Sequence, residues 1–413
     1  MRVAALLAAC LLVSCAGRCS GARADREAPQ DDEPLSLDPP PLVDGGALAP
    51  ARCGERTSIR RAQWIGQVAL GASADRDGRF VVSAVMDAAP ALSVLRVDEQ
   101  NAERVDVRVN PGDAPAPALA SRGDELFAAY FGENESSAKS VVQKQTAWVV
   151  QIGEGGATPR FRVAREREES LVLDLAVGAE GPQLVWQTAA GVSVHTASNE
   201  RIVRAPEGTV LEAPRIVASN AHSWVLAIAR RWDTLEYDPA PPGGKGPPRA
   251  PISKIPQTQW EGAGEPRSNS WLVGVKVPSA GEIGAVHALT SPRGHVEAFE
   301  VLPDGDGVQV VAFDAAGVLD EGASLVRLRW SGAAPERDPW HAPDVGQGAL
   351  SLLPAAEGRP MLVYHATNGD GVLVWGAQVS REPTLADTRV LAAQGGRLLV
   401  STSEELGWVK CAP

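Results

Sequence analysis

Two short acidic segments carry the residue types that bind a hard cation. Residues 75–78 (DRDG) and 304–307 (DGDG) alternate carboxylates with other residues just before an apolar run. Because carboxylate oxygens are preferred Ca²⁺ ligands, both segments are calcium candidates. Asp-Gly is also the usual pair of a tight turn, so we expect turns here and predict no cofactor firmly. The candidate ligands are Asp75, Asp77, Asp304 and Asp306.

The sequence contains no complete motif for hydrolytic, nucleotide-dependent or zinc chemistry. Six histidines occur, and none belongs to an HExxH sequence. A GxSxG nucleophile elbow, a P-loop and a dinucleotide fingerprint are also missing from the sequence. With 51 acidic residues, no carboxylate pair is singled out for hydrolysis. We therefore assign no catalytic residue from the sequence.

Residues 231–269 form a Pro- and Gly-rich segment with aromatic residues that suit recognition. Trp232, Tyr237 and Trp260 lie there among charged residues. Exposed aromatics on a long loop suit the binding of sugars or proteins, so we take these three as a candidate binding loop. The alternative is an insertion whose aromatic side chains merely pack on the body.

The N-terminus has the parts of an export signal. A basic start (residues 1–2) precedes an apolar run, residues 3–13, that is too short to span a bilayer. The run leads into residues 12–15 (LVSC), which resemble the lipobox of bacterial lipoproteins. The resemblance implies that a signal peptide, residues 1–14, is removed and that Cys15 receives lipid, including fatty acids such as palmitate. An ordinary secretory signal is the alternative.

The lipobox also implies a location for the protein. A lipid on Cys15 anchors the chain in a bilayer, on the extracytoplasmic side of the cell envelope, and in the outer membrane if the cell is Gram-negative. Residues 15–51 are rich in Pro and acidic residues without apolar periodicity, which predicts a disordered tether.

Two cysteines, Cys53 and Cys411, lie at the two ends of the body, residues 52–413. The other three are confined to the first 19 residues. Since exported proteins meet oxidising conditions, we predict a disulfide between Cys53 and Cys411, with two free thiols as the alternative.

A five-residue apolar strand pattern recurs seven times in the body. Each copy precedes a second apolar run, and basic-flanked strands, such as those from Arg160, Arg201 and Thr388, follow several of these. From the start of one copy to the start of the next, five of the six intervals are 37 to 56 residues long. The sixth is 85 residues long, and it becomes 46 when the 39-residue insertion is left out. About four strands per 40 to 55 residues is typical of a β-propeller blade. The copies are 79–83 (RFVVS), 126–130 (LFAAY), 182–186 (PQLVW), 224–228 (WVLAI), 309–313 (QVVAF), 360–364 (PMLVY) and 397–401 (RLLVS).

We therefore predict an all-β fold, a β-propeller with seven blades, with six blades and an odd hairpin as the alternative. Residues 56–62 (RTSIRRA) resemble outer strands, although they precede the first unit. We predict that they complete the seventh blade antiparallel to the strand ending at Cys411, which places Cys53 beside that residue. Closing the ring in this way hides open sheet edges.

The charge and the motifs bound the function. A net charge of −12 argues against nucleic acid as a partner. We predict a membrane-tethered lipoprotein whose propeller binds a ligand or a protein or glycan partner without catalysis. The alternative is an extracytoplasmic hydrolase or lyase that acts on glycans. The missing catalytic motifs favour the first, and the fold alone does not choose between them.

Overall fold

The computed structural model is an all-β protein, and its described residues form seven four-stranded antiparallel sheets. Those sheets are the blades of a β-propeller, as predicted. No helix in this described part is long and apolar enough to cross a membrane. The structure describes residues 48–63, 71–74, 80–86, 91–97, 102–107, 117–133, 144–153, 156–166, 172–188, 190–219, 221–232, 268–292, 294–315, 324–338, 342–346, 348–354, 360–376, 378–394, 396–402 and 405–412.

The first four blades follow one another along the chain, each as a four-stranded meander. Blade 1 contains β2 (Gly71–Ala74), β3 (Phe80–Met86), β4 (Ala91–Val97) and β5 (Ala102–Val107). Blade 2 contains β6 (Ala118–Arg122), β7 (Glu125–Glu133), β8 (Lys144–Gly153) and β9 (Gly156–Glu166). Blade 3 contains β10 (Leu173–Gly178), β11 (Gly181–Thr188), β12 (Gly191–His195) and β13 (Glu200–Arg204). Blade 4 contains β14 (Val210–Ala218), β15 (His222–Trp232), β16 (Ser268–Pro278) and β17 (His287–Ala288).

Two further blades repeat this order, and the last combines both ends of the body. Blade 5 contains β18 (Val296–Asp304), β19 (Gly307–Asp314), β20 (Ser324–Trp330) and β21 (Glu336–Arg337). Blade 6 contains β22 (Ser351–Leu353), β23 (Met361–His365), β24 (Gly371–Trp375) and β25 (Gln378–Glu382). Blade 7 contains β26 (Arg389–Gln394), β27 (Arg397–Ser401), β28 (Glu405–Cys411) and β1 (Cys53–Gln63).

The recurring apolar run becomes the second strand of each blade, and in blades 3 to 6 that strand is covered on both faces. In β15, Val225 and Ala227 pack in the core shared with blade 3, whereas Trp224, Leu226 and Ile228 pack in the core shared with blade 5. Alternate side chains of one strand therefore enter two different cores. A strand buried on both faces reads as a continuous apolar run, which explains the sequence pattern.

The first strands of the blades form a closed circle. Contacts run from β2 to β6, β10, β14, β18, β22 and β26, and from β26 back to β2. These seven strands are therefore the innermost ones, and they surround the central channel that a propeller ring leaves.

The two ends of the body meet in blade 7, as the sequence predicted. Strand β1 pairs antiparallel with β28, Cys53 lies opposite Cys411, and their sulfur atoms are joined at 2.07 Å. The fully buried carboxylate of Glu382 accepts hydrogen bonds from the backbone N–H groups of Arg52 and Cys53, each at 2.9 Å. The hydroxyl of Ser380 donates a third bond to it, so blade 6 also holds the incoming chain.

The structure corrects the assignment of the strand that begins near Thr388. We predicted it as an outer strand of the sixth unit, but it is β26, the innermost strand of blade 7. Strand β25 is the outer strand of blade 6, and a single 3-10 turn, Pro383–Leu385, leads the chain from it towards the channel. The prediction failed because an arginine followed by two apolar residues occurs both in β26 and in outer strands such as β13.

Two boundaries also differ from the sequence-based ones. Pairing of β15 with β16 continues to Trp232 and Ser268, so both ends of the predicted insertion belong to strands and the connection covers residues 233–267. Leu48 packs against the core shared by blades 5 and 6, and the N–H of Ala49 donates to the carbonyl of Val379 at 2.9 Å. Ordered contacts therefore begin before residue 51.

Replacing both bridging cysteines (C53S with C411S) is expected to lower the free energy of unfolding by about 2–5 kcal/mol, because the bridge closes a very long loop in the unfolded chain. Urea unfolding of the two proteins measures the difference. C19S is the matched control, since Cys19 precedes the body. Superimposable unfolding curves, or free thiols at residues 53 and 411 in a non-reducing peptide map, would contradict the closure.

Candidate active site

Four charged residues lie on innermost strands and form one layer of the central channel. Asp174 is on β10, Arg215 on β14, Glu300 on β18 and Arg389 on β26, so they come from blades 3, 4, 5 and 7. We call this set the charged layer. The described residues contain no group of three or more His, Cys, Asp and Glu side chains that could hold a metal ion.

Strand register puts the four residues at the same level. In each of these four blades the innermost strand forms a hairpin with the second strand. Counting cross-strand residue pairs from the one that flanks the hairpin turn, each charged residue lies four pairs further along. Since the innermost strands contact each other side by side, equal distance from the hairpin end means equal height in the channel. The pairs at this step are Asp174–Val185, Arg215–Leu226, Glu300–Val311 and Arg389–Ser401.

One β-bulge contributes to this alignment, and a second lies beside Arg215. In β26 a bulge between Val390 and Ala392 absorbs one residue and returns Arg389 to the common step. In β14 a bulge lies between Glu212 and Arg215, and it contains Ala213 at a φ of 47°. Bulges redirect the side chains beside them, and a left-handed alanine is strained. Strain is therefore stored two residues from the central cation of the layer.

The layer is linked across the boundary between blades 3 and 4. The Oδ2 atom of Asp174 accepts a hydrogen bond from the backbone N–H of Ile216 at 2.9 Å. This bond fixes the carboxylate of one blade next to the arginine of the next. Asp174, Arg215 and Glu300 are half-buried, whereas Arg389 is exposed. The layer is therefore partly shielded from solvent at its two carboxyl groups and exposed at Arg389.

Burial raises the pKa of Asp174 and of Glu300 above the ordinary carboxyl range. The cation of Arg215 opposes the rise at both residues, and backbone N–H groups oppose it at Asp174. At Glu300 the negative charge of Asp174 adds to the rise. Asp174 therefore has hydrogen bonds that favour its ionised form, while Glu300 has a neighbouring carboxylate that favours its protonated form.

The two arginines of the charged layer act on its two carboxyl groups through their positive charge. Burial alone would lower the pKa of Arg215, but the carboxylates of Asp174 and Glu300 raise it, so Arg215 stays charged. The charge of Arg389 lowers the pKa of Glu300 although blades 5 and 7 are not neighbours. Because both residues lie on innermost strands, this electrostatic interaction acts between blades that blade 6 separates.

The charged layer can carry out proton transfer. Two carboxyl groups with different surroundings can hold different protonation states at the same pH, one as an acid and the other as a base. The layer supplies such a pair, held by fixed strands and accompanied by two guanidinium groups that can stabilise negative charge. These are the requirements of general acid–base hydrolysis.

The predicted calcium segment at residues 304–307 forms the turn between β18 and β19. Gly305 has a φ of 58°, and Asp304 pairs with Gly307 across the turn. The carboxylate of Asp304 lies 3.1 Å from the guanidinium of Arg329. The carboxylate of Asp306 lies 3.8 Å from the imidazole of His222, and its carbonyl accepts a bond from the indole of Trp224. Both residues thus connect the turn to its surroundings.

The other sequence-based candidates lie largely outside the described residues. Trp232 is the last residue of β15, and its backbone pairs with Ser268. The calcium and binding-loop candidates Asp75, Asp77, Tyr237 and Trp260 fall in undescribed segments, as does Cys15. None of the predicted binding residues that the structure describes belongs to the charged layer.

The residues of the charged layer were missed because each looks ordinary in its own segment. Asp174 stands between two leucines, and Glu300 follows a phenylalanine. A charge within an apolar strand is the signal that could have found them, but only after aligning the segments on their hairpin turns. The misassigned strand from Thr388 concealed Arg389 as well.

Comparison with known proteins extends only to the fold. No family model and no curated protein matches the chain. The solved α-L-arabinanase of Penicillium chrysogenum with arabinobiose is 11% identical, covers 87% of this chain and 98% of its own, and has a TM-score of 0.42. The GH93 α-L-arabinofuranosidase of Fusarium graminearum with arabinobiose is 8% identical, with the same coverage and a TM-score of 0.43. The GH43 endo-arabinanase of Bacillus licheniformis is 13% identical, covers 68% and 99%, and has a TM-score of 0.33.

This comparison corrects the functional prediction. We predicted a non-catalytic binding propeller, but the three solved structures are named as two arabinanases and an arabinofuranosidase, which stands against that prediction and favours its alternative, a glycan-acting hydrolase. At such low identity the likeness shows the propeller fold alone. The chemistry must therefore be argued from the side chains of this chain.

Replacing the central cation (R215M) is expected to lower the free energy of unfolding by about 2 kcal/mol at pH 8, a value between those of exposed and buried ion pairs. Without Arg215 the already raised pKa values of Asp174 and Glu300 rise further. The protonated carboxyls need no cation, so the loss is small at pH 4 and grows as the pH rises. Urea unfolding at both pH values measures this trend.

The matched control is R329M, which removes an exposed partner of Asp304 outside the channel and is expected to cost less than about 1 kcal/mol at both pH values. A loss in R215M that is equal at pH 4 and pH 8 would mean that Arg215 acts by packing and not by charge.

Proposed function

We propose that this chain is a glycan-acting hydrolase whose reaction takes place at the charged layer. The observation that supports the proposal best is the presence of Asp174 and Glu300 at one level of the channel, with raised pKa values and Arg215 interacting with both. Hydrolysis of a glycosidic bond commonly uses one carboxylic acid and one carboxylate on either side of the bond.

The surroundings suggest different roles for the two carboxyl groups. Glu300 is the better general acid, because burial and the charge of Asp174 both favour its protonated form. Asp174 is the better carboxylate, because backbone N–H groups donate to it and stabilise its ionised form. In this proposal Glu300 protonates the leaving oxygen, and Asp174 activates water or attacks the sugar.

Arg215 serves as the positioning residue in this scheme. Its charge acts on both carboxyl groups, and its strand contributes the N–H of Ile216 that holds Asp174. Removing Arg215 therefore changes the protonation of both groups without removing either. The exposed side of the layer, at Arg389, is open to the substrate.

The second part of the proposal concerns location. The lipobox-like residues 12–15 support export and a lipid anchor on Cys15, followed by a tether that ends where Leu48 joins blade 6. A hydrolase held in this way would act on glycans near the surface of the cell envelope, in the outer membrane if the cell is Gram-negative.

The isosteric variants E300Q and D174N are each expected to lower kcat/KM for glycan hydrolysis by about 10²- to 10⁴-fold, because each removes a proton-transfer group. The assay uses a glycan panel that includes linear arabinan. E300Q should retain more activity on an aryl glycoside, whose leaving group needs no acid. Wild-type activity should fall as rising pH deprotonates Glu300.

R329M is the control for these assays, since Arg329 lies outside the channel. The proposal fails if the wild-type protein hydrolyses no member of the panel. It also fails if E300Q and D174N hydrolyse a glycan as fast as R329M does.

Intact-mass analysis of the membrane-extracted protein is expected to show a chain that begins at Cys15 and carries the added mass of two or more acyl chains. C15S should release the protein from the membrane, because the acyl chains supply the binding energy. C19S is the matched control. An unmodified Cys15 within a longer chain would contradict the anchor.

A further inference from the structure

Arg389 has no ionic partner at bonding distance. Its side chain is exposed on the innermost strand of blade 7, and it forms no ion pair within the part of the chain that the structure describes. By contrast, Arg56, Arg230 and Arg329 lie within 2.8 to 3.1 Å of a carboxylate. The charge of Arg389 lowers the pKa of Glu300, although the two side chains form no ion pair within the described residues. A guanidinium in this position is available to a ligand.

The charge of the layer supports this interpretation. With both carboxyls ionised, the two arginines balance them. When Glu300 carries the proton that a general acid must donate, the layer has one negative and two positive charges. Since Arg215 lies among the carboxyls and interacts with both, the uncompensated positive charge belongs to Arg389. The protonation state required for catalysis is therefore the one that attracts an anion.

Resting on the proposed hydrolase activity, we infer that the substrate is an acidic glycan whose carboxylate binds to Arg389. The planar guanidinium presents parallel N–H groups that match the two oxygens of a carboxylate. A uronic acid residue next to the bond to be cleaved would provide that group. Arg389 would then orient the sugar against Glu300 and Asp174.

The net charge of the whole chain is −12, so the positive charge of Arg389 selects for anions that make a specific contact with it. Anions in general are repelled by the acidic surface, so binding requires a specific contact with the positive channel site. The contribution of Arg389 should decrease with salt, because its side chain is exposed and screened. A neutral sugar gains nothing from this contact.

The test measures binding in the full chain carrying E300Q, which mimics the protonated acid and blocks turnover. Calorimetry uses tetramers of galacturonic, glucuronic and mannuronic acid, each paired with the neutral tetramer obtained by reducing its carboxyl groups. At least one acidic tetramer is expected to bind tenfold or more tightly than its neutral partner. Adding R389Q should remove this preference, and R389K should keep part of it.

R329M added to E300Q is the control, because it removes an exposed arginine outside the channel. The inference is overturned if no acidic tetramer binds, if acidic and neutral tetramers bind equally, or if R389Q keeps the preference. Thermal unfolding of R389Q checks that the variant is folded, which the exposure of this side chain leads us to expect.

The two proposals fail in distinguishable ways. Binding of an acidic tetramer that depends on Arg389, in a protein that hydrolyses no glycan, supports the anion site and rejects the hydrolase. Hydrolysis of a neutral glycan that is unchanged in R389Q supports the hydrolase and rejects the anion site.

Discussion

Closure of the ring is the constraint on which the rest of the structure depends. The innermost strands can surround a channel only if the last blade contacts the first, and β1 completes the last blade by pairing with β28 as its outer strand. The disulfide and the buried carboxylate of Glu382 hold this junction from two blades. Once the circle is closed, the strands share a common height, and residues far apart in sequence become neighbours.

The apolar cores between blades allow the channel to be polar. In blades 3 to 6 the second strand places alternate side chains in two cores, so the packing of these blades does not depend on the innermost residues at the level of the charged layer. At that level β6 contributes only the methyl group of Ala118, whereas four other blades contribute charges. The polarity of the channel thus varies from blade to blade while the packing stays the same.

The sequence predicted what depends on local pattern and failed where distant segments had to be aligned. The seven hairpins and the pairing of Cys53 with Cys411 were predictable, because continuous apolar runs and cysteine positions are visible directly. The charged layer was not, since a single Asp174 or Glu300 in an apolar strand has no local signature. Strand β26 was assigned to the wrong blade because the basic residue that belongs to the channel resembles those on outer strands.

The charged layer is a cost to stability that the closed ring can offset. Burial opposes ionisation of Asp174 and Glu300, and the bulge beside Arg215 holds Ala213 in a strained conformation. Neither feature helps the chain fold, and a layer of apolar residues would avoid the cost of burying charge. Strained and desolvated groups tend to persist where they serve a function. Their presence at one level of the channel, on strands whose position the packing has already fixed, is therefore the strongest structural argument that this layer is where the protein acts.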